Sequence, residues 1–164
     1  MRQVADAQRG GRTRRLAGLL GTGLRSLLSR RPGPRADTPD VAYRPRADSR
    51  PDPGEIVWTW VPYDEGDGRG KDRPVLVIGR RGADLLGLLL SSQDHDRDAA
   101  DEARHGRVWS DIGRGSWDSR GRASEVRLDR LLVVDPAAVR REGAALDRAR
   151  FDRVVAEARR VQGW

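Results

Sequence analysis

The chain has 164 residues, with 32 Lys and Arg against 25 Asp and Glu, a formal charge of +7, and no cysteine. That length holds one domain with a tail, and the absence of thiols excludes a disulfide framework and any thiolate metal site. No apolar run approaches the roughly 18–20 residues needed to cross a bilayer, so the composition points away from a membrane protein.

The basic excess is not spread evenly. Residues 1–50 hold 12 Arg and 4 Asp, whereas residues 51–164 hold 20 basic and 21 acidic residues. A polyanion site beyond the first third must therefore rest on a local patch rather than on net charge. Residues 1–52 read as a basic, mostly disordered tail, because "RPGPRADTPD" and "RPRADSRPDPG" offer nothing to a core. Within it, Leu16, Leu20, Leu24, Leu27 and Leu28 follow helical spacing among arginines, which predicts a marginal amphipathic helix near 13–30. Gly18, Gly21 and Gly23 each weaken it by about 1 kcal/mol relative to alanine. Its apolar run is broken by glycine and Arg25, and no A-x-A site follows, so it does not read as a secretory signal.

The folded domain is expected over 53–164. "EIVWTWVPY" predicts a strand closed by Pro62, with Trp58 and Trp60 on one face and at least one of them in the core. The loop "DEGDGRGKD" follows, with three glycines and no apolar residue. "PVLVIG" and "DLLGLLLSS" predict two strands around an "RRGA" turn, Pro74 taking the first strand position because it cannot donate to a ladder. "DHDRDAADEARHG" reads as a polar loop, and "VWSDIG" and "SEVRLDRLLVVD" as short strands, the latter broken at its Asp-Arg pair. "PAAVRREG" predicts a short helix starting at Pro136. Phe151, Val154, Val155, Ala158 and Val161 then mark one face of a final helix capped by Asp147. Strands first and helices last give an α+β fold: a small, strongly curled antiparallel sheet or barrel with C-terminal helices.

Chemistry-bearing residues are few. The acidic run around Asp94, Asp96 and Asp98 alternates with Arg97 and lacks the glycine that shapes a cation loop, so no metal site is expected. No nucleophile elbow, phosphate-binding glycine motif or Ser-His-Asp order is present. Trp109 and Trp117 flank the glycine-rich "SDIGRGS" and are the candidates for stacking on single-stranded bases, with Arg69, Lys71 and Arg114 as basic partners. Arg73 stands at the mouth of an apolar strand. Solvation of a loop end explains it as readily as a functional cation does.

The succession "PGEIVWTWVPY", a glycine-rich loop, "KDRPVLVI", "LLLSSQ" and "SEVRLDRLLVV" with its following helix resembles the MazF/PemK family of toxins from toxin–antitoxin pairs. The resemblance runs from about Pro53 to Arg160. It implies an SH3-like barrel with a terminal helix, a homodimer, and a cytoplasmic endoribonuclease that cuts single-stranded RNA without metal or cofactor. It further implies a cognate acidic antitoxin and operator DNA as the target of the toxin–antitoxin complex. Arg73 matches the family's catalytic arginine, and Ser92 its catalytic Ser/Thr, with Ser91 taking that place if the register slips by one. This chain departs from the pattern in the loop, where Gly68 and Arg69 stand in place of a Glu-Gln pair. Any acid role there passes to Asp64, Glu65 or Asp67, or is absent. The alternative is a catalytically inactive MazF-like module that binds nucleic acid or protein.

Overall fold

The structure, a computed structural model, describes residues 39–93 and 99–164. The predicted helix near 13–30 and the acidic residues Asp94, Asp96 and Asp98 lie outside them.

Strand β2 (Glu55–Pro62) alternates as its residues dictate, with Val57, Thr59 and Val61 buried on one face. On the other face Ile56 is buried, Trp58 half-buried and Trp60 50% exposed, so neither tryptophan joins the core. Strand β3 (Gly70–Arg81) pairs antiparallel with β2, and the turn at Gly82 sends the chain back as β4 (Asp84–Ser91). After helix α1 (Ala99–Arg104) come β5 (Trp109–Gly113), β6 (Ser124–Val134) and β7 (Arg141–Ala145). The sheet runs β5-β6-β4-β3-β2-β7, and β1 (Asp40–Val41) adds to β3 beyond the end of β2. All of these pairings are antiparallel.

One sheet face packs against α2 (Arg148–Gln162), which buries Phe151, Val154, Val155 and Ala158 on Ile56, Leu76, Leu88 and their neighbours. The Asp147 side chain caps this helix by accepting from Arg150 N at 3.0 Å, as its position in the sequence predicts. Gly163 closes it in the left-handed region, at φ 76°. Val161, expected on the buried face, is instead 42% exposed. The other sheet face carries a smaller cluster of Val57, Val61, Val75, Val77, Leu85, Leu132 and Val134. The result is a curled antiparallel half-barrel with a C-terminal helix.

Five further expectations are corrected. Pro74 is interior to β3, not its first residue; it stays tolerable because the β4 ladder begins only at Val75↔Leu89, so Pro74 sits where β3 pairs with β2 alone. β6 is continuous through Asp129 and Arg130, whose break is taken up as a bulge between Leu131↔Leu88 and Val126↔Leu90. The polar loop contains the short helix α1. "PAAVRREG" is one 3-10 turn (Pro136–Ala138) followed by β7, because an eight-residue helix is marginal alone and the free edge of β2 captures the segment. Residues 39–52, read as tail, are docked. Tyr43 OH donates to Leu146 O at 2.9 Å, Arg46 N to Glu55 Oε1 at 2.8 Å, and Arg80 Nη2 to Pro51 O at 3.0 Å. Gly79 permits this docking, since a Cβ there would run into the Asp40 carbonyl oxygen.

Candidate active site

The face opposite α2 opens into a cleft of about 500 Å³ between the loop after β2 and strands β3, β4 and β6. Arg73 lines it, half-buried on β3 and paired across the ladder with Thr59. Thr59 is itself fixed, donating from Oγ1 to Ala138 O at 3.2 Å. The Arg73 side chain makes no ion pair or hydrogen bond with any described residue. Where so many arginines are paired, that leaves a guanidinium on a paired strand with donors no described residue uses.

The β3–β4 register decides which serine faces it. Val75 lies opposite Leu89, so continuing two residues past the last pair sets Ser91 opposite Arg73. Ser91 is buried at the end of β4, lines the cleft, and accepts from Gln93 N at 3.1 Å through Oγ. Ser92, placed first by the sequence, is half-buried just beyond the strand. It lines a smaller depression of about 180 Å³ that Arg73, Ser91 and the exposed Lys71 also line.

The remaining sequence candidates scatter. Trp109 lines the cleft, half-buried, its Nε1 donating to Glu102 Oε2 at 2.8 Å. Trp117 corrects the stacking expectation: it is 6% exposed in the core, with Nε1 donating to Ser124 Oγ at 3.1 Å. Arg114 donates to the Gly121 carbonyl and lines neither space that Arg73 lines. Arg69 reaches the cleft but pairs with Asp67 in its own loop at 2.6 Å. Glu65 is exposed at the rim. Among the described residues no group of acids and histidines has the arrangement to hold a metal ion.

Sequence reasoning missed the arginines of the far wall. Asp64 receives Arg127 Nη1 at 2.7 Å and Arg130 Nη1 at 2.6 Å, with Arg107 Nε 3.5 Å away. Arg127 is held from behind by Asp129, Nη2 to Oδ2 at 2.8 Å, and Arg107 by Glu102 at 3.4 Å. Burial pushes the Asp64 carboxyl up, but the Arg127 hydrogen bond and the charges of Arg127, Arg130 and Arg107 outweigh it and hold the pKa below its ordinary value. Only the arginine-Asp pattern of "VRLDR" hinted at this, and such pairs are common in the chain.

The lowered pKa has a pH consequence. A carboxylate depressed in the folded state contributes stability that is full above its unfolded pKa of about 4 and is lost as pH falls through the folded value. The difference in melting temperature between the natural protein and Asp64→Asn is therefore expected to be flat from neutrality to about pH 5 and to shrink below pH 4. A difference independent of pH down to acid unfolding would show that the carboxylate charge contributes nothing.

The comparisons with known proteins give the family and the fold. A model of the PemK-like, MazF-like toxins of type II toxin–antitoxin systems matches residues 52–161. The solved MazF (Form-I) of Deinococcus radiodurans aligns with 71% of this chain and 100% of its own, at 18% identity and a TM-score of 0.50, which shows the shared fold. An endoribonuclease with its cognate antitoxin from a mycobacterial species covers 69% and 95% at 14% identity, with a TM-score of 0.47. MazE-MazF (Form-III) from Deinococcus radiodurans covers 69% and 96% at 17% identity, also at 0.47. No curated protein matches significantly. With a family match over two thirds of its length, the chain belongs to the PemK-like, MazF-like toxins of type II toxin–antitoxin systems.

Proposed function

We propose that the protein is the toxin half of such a pair and cuts single-stranded RNA. The observation that carries this reading is an Arg73 side chain with no partner among the described residues, sharing a cleft with Ser91. RNA contains its own nucleophile. Its 2′-oxygen attacks the adjacent phosphorus and the P–O5′ bond breaks. The 2′-hydroxyl proton passes to solvent water, the departing 5′-oxygen takes one from water, and the products are a 2′,3′-cyclic phosphate and a free 5′-hydroxyl. Charge gathers on the phosphoryl oxygens in the transition state, and a fixed guanidinium binds it bidentately. Arg73 takes that role, with β3 and its β2 partner holding it in place. Ser91 donates its hydroxyl to a phosphoryl oxygen, and Ser92 is the alternative.

Family membership supports the wider assignment: a homodimer in the cytoplasm, an acidic antitoxin that holds the toxin inactive, and operator DNA bound by the pair. Among the described residues no helix is long and apolar enough to cross a membrane. The loop around Gly68 and Arg69, which lacks the family's acid, favours the second reading of a non-cleaving, binding-only member.

Mapping RNA ends after incubation with the purified protein separates the two. The expected result is discrete cuts with 5′-hydroxyl and cyclic-phosphate ends, unaffected by excess EDTA. Binding without cuts makes the protein a binding module. Activity that disappears on chelation and returns with magnesium overturns the arginine chemistry.

A further inference from the structure

The far wall of the cleft presents a second anion site, already occupied from within. Three guanidiniums converge on the single carboxylate of Asp64, and two of them, Arg127 and Arg130, bond to its separate oxygens at 2.7 and 2.6 Å. The Arg127 side chain is only 10% exposed, and Asp129 takes its Nε and Nη2 from behind, so Nη1 is the donor that needs an acceptor on the cleft side. Asp64, in contrast, stands on a segment with little else to hold it. Residues 62–69 are all exposed, and Gly66 and Gly68 have positive φ with open space around them. The loop's base is closed by Tyr63 N to Arg69 O at 3.0 Å. Among the described residues its ties to the far wall are Asp64 itself and the Arg130 bond to Pro62 O at 3.2 Å.

A phosphodiester offers the same chemistry as that carboxylate: one negative charge shared by two oxygens suited to a bidentate guanidinium. Arg107, Arg127 and Arg130 line the cleft that Arg73 and Ser91 line. We propose that these three arginines form a backbone-binding subsite for a phosphate of single-stranded RNA flanking the one at Arg73, and that Asp64 is its internal stand-in, displaced when RNA enters. This inference rests on the reading of the cleft as an RNA site. The exchange is nearly neutral in charge, one anion for another, so the loop opens without leaving Arg127 Nη1 short of an acceptor. It also explains how a near-neutral domain binds a polyanion, since its positive charge is masked until substrate arrives.

The test measures binding of a labelled, uncleavable 2′-O-methyl oligoribonucleotide to the full chain by anisotropy across a salt series. Asp64→Asn is expected to tighten binding by about tenfold and to steepen the salt dependence by about one phosphate contact. Arg130→Gln in the otherwise natural chain, a change at the more exposed end of the cluster, is expected to weaken binding by about three- to tenfold and to make that slope shallower. Arg130→Gln keeps the test open if Asp64→Asn fails to fold. Unchanged or weaker binding by a folded Asp64→Asn protein, or unchanged binding by Arg130→Gln, overturns the subsite. A gain for polyglutamate but not for the oligonucleotide also overturns it, by making the wall a protein-docking site. Cleavage reports separately. Loss of the subsite effects with cutting intact sinks this inference alone, whereas RNA that binds but is never cut sinks the proposed activity.

Discussion

Replacing Arg73 with alanine is expected to lower RNA cleavage by about a hundredfold or more, with circular dichroism and melting temperature nearly unchanged. The two halves of that expectation come from one fact. The Arg73 side chain bonds to no other described residue, so truncating it orphans no partner among them. The same unused donors are what the transition state would claim. Arg73→Lys is expected to recover only part of the rate, because an ammonium is a point charge and does not make the paired contact of a guanidinium. Ser91→Ala is expected to cost more than Ser92→Ala, following the register that sets Ser91 opposite Arg73. Single-turnover cleavage of one oligonucleotide by all four variants measures this. Full activity in a folded Arg73→Ala protein removes the arginine from the mechanism, and the reverse order of the serines moves the hydroxyl role to Ser92.

The largest effect on stability is expected at Phe151. Its ring is 2% exposed, meets Tyr43 with centroids 5.0 Å apart, and anchors the start of α2 on the sheet. Phe151→Ala removes that apolar surface and leaves a cavity between helix, sheet and the docked N-terminal segment, at a cost of about 3–5 kcal/mol. For a domain of this size that is a large part of its total stability. Urea unfolding gives the value directly. A loss under 1 kcal/mol would mean that α2 contributes little to the packed core.

How much of this was legible depended on the range of the interactions. The order of β2, β3 and β4, the final helix and its Asp147 cap follow from neighbours within a few residues, and all are visible as pattern. The family match covers the span in which those patterns occur. The strand β7 was hidden because its sequence is a passable short helix, and only the open edge of β2, more than 80 positions earlier, makes it a strand. Trp117 misled for a similar reason: glycine and arginine surround it in sequence, while Ser124 and the core surround it in space. The Asp64 cluster was least legible. Its partners lie 63 and 66 residues away, in a chain so rich in arginine that no one of them stands out.

The sheet order also bears on how the chain is made. β2, synthesised early, lies between β3 and β7, and Tyr43 is tied to Leu146, 103 residues further on. Contacts of such long range are slow to form, because loop-closure entropy is spent before any pairing rewards it. A nascent chain that has reached β4 has Arg73 and Ser91 but neither the β6 wall of the cleft nor the helix that covers the core. The cleft that Arg73 and Ser91 share with the far-wall arginines is complete only once β6 has been translated, and the core behind it only once α2 has been. A ribosome building this protein is shielded, until then, from the RNA-cutting activity proposed for it.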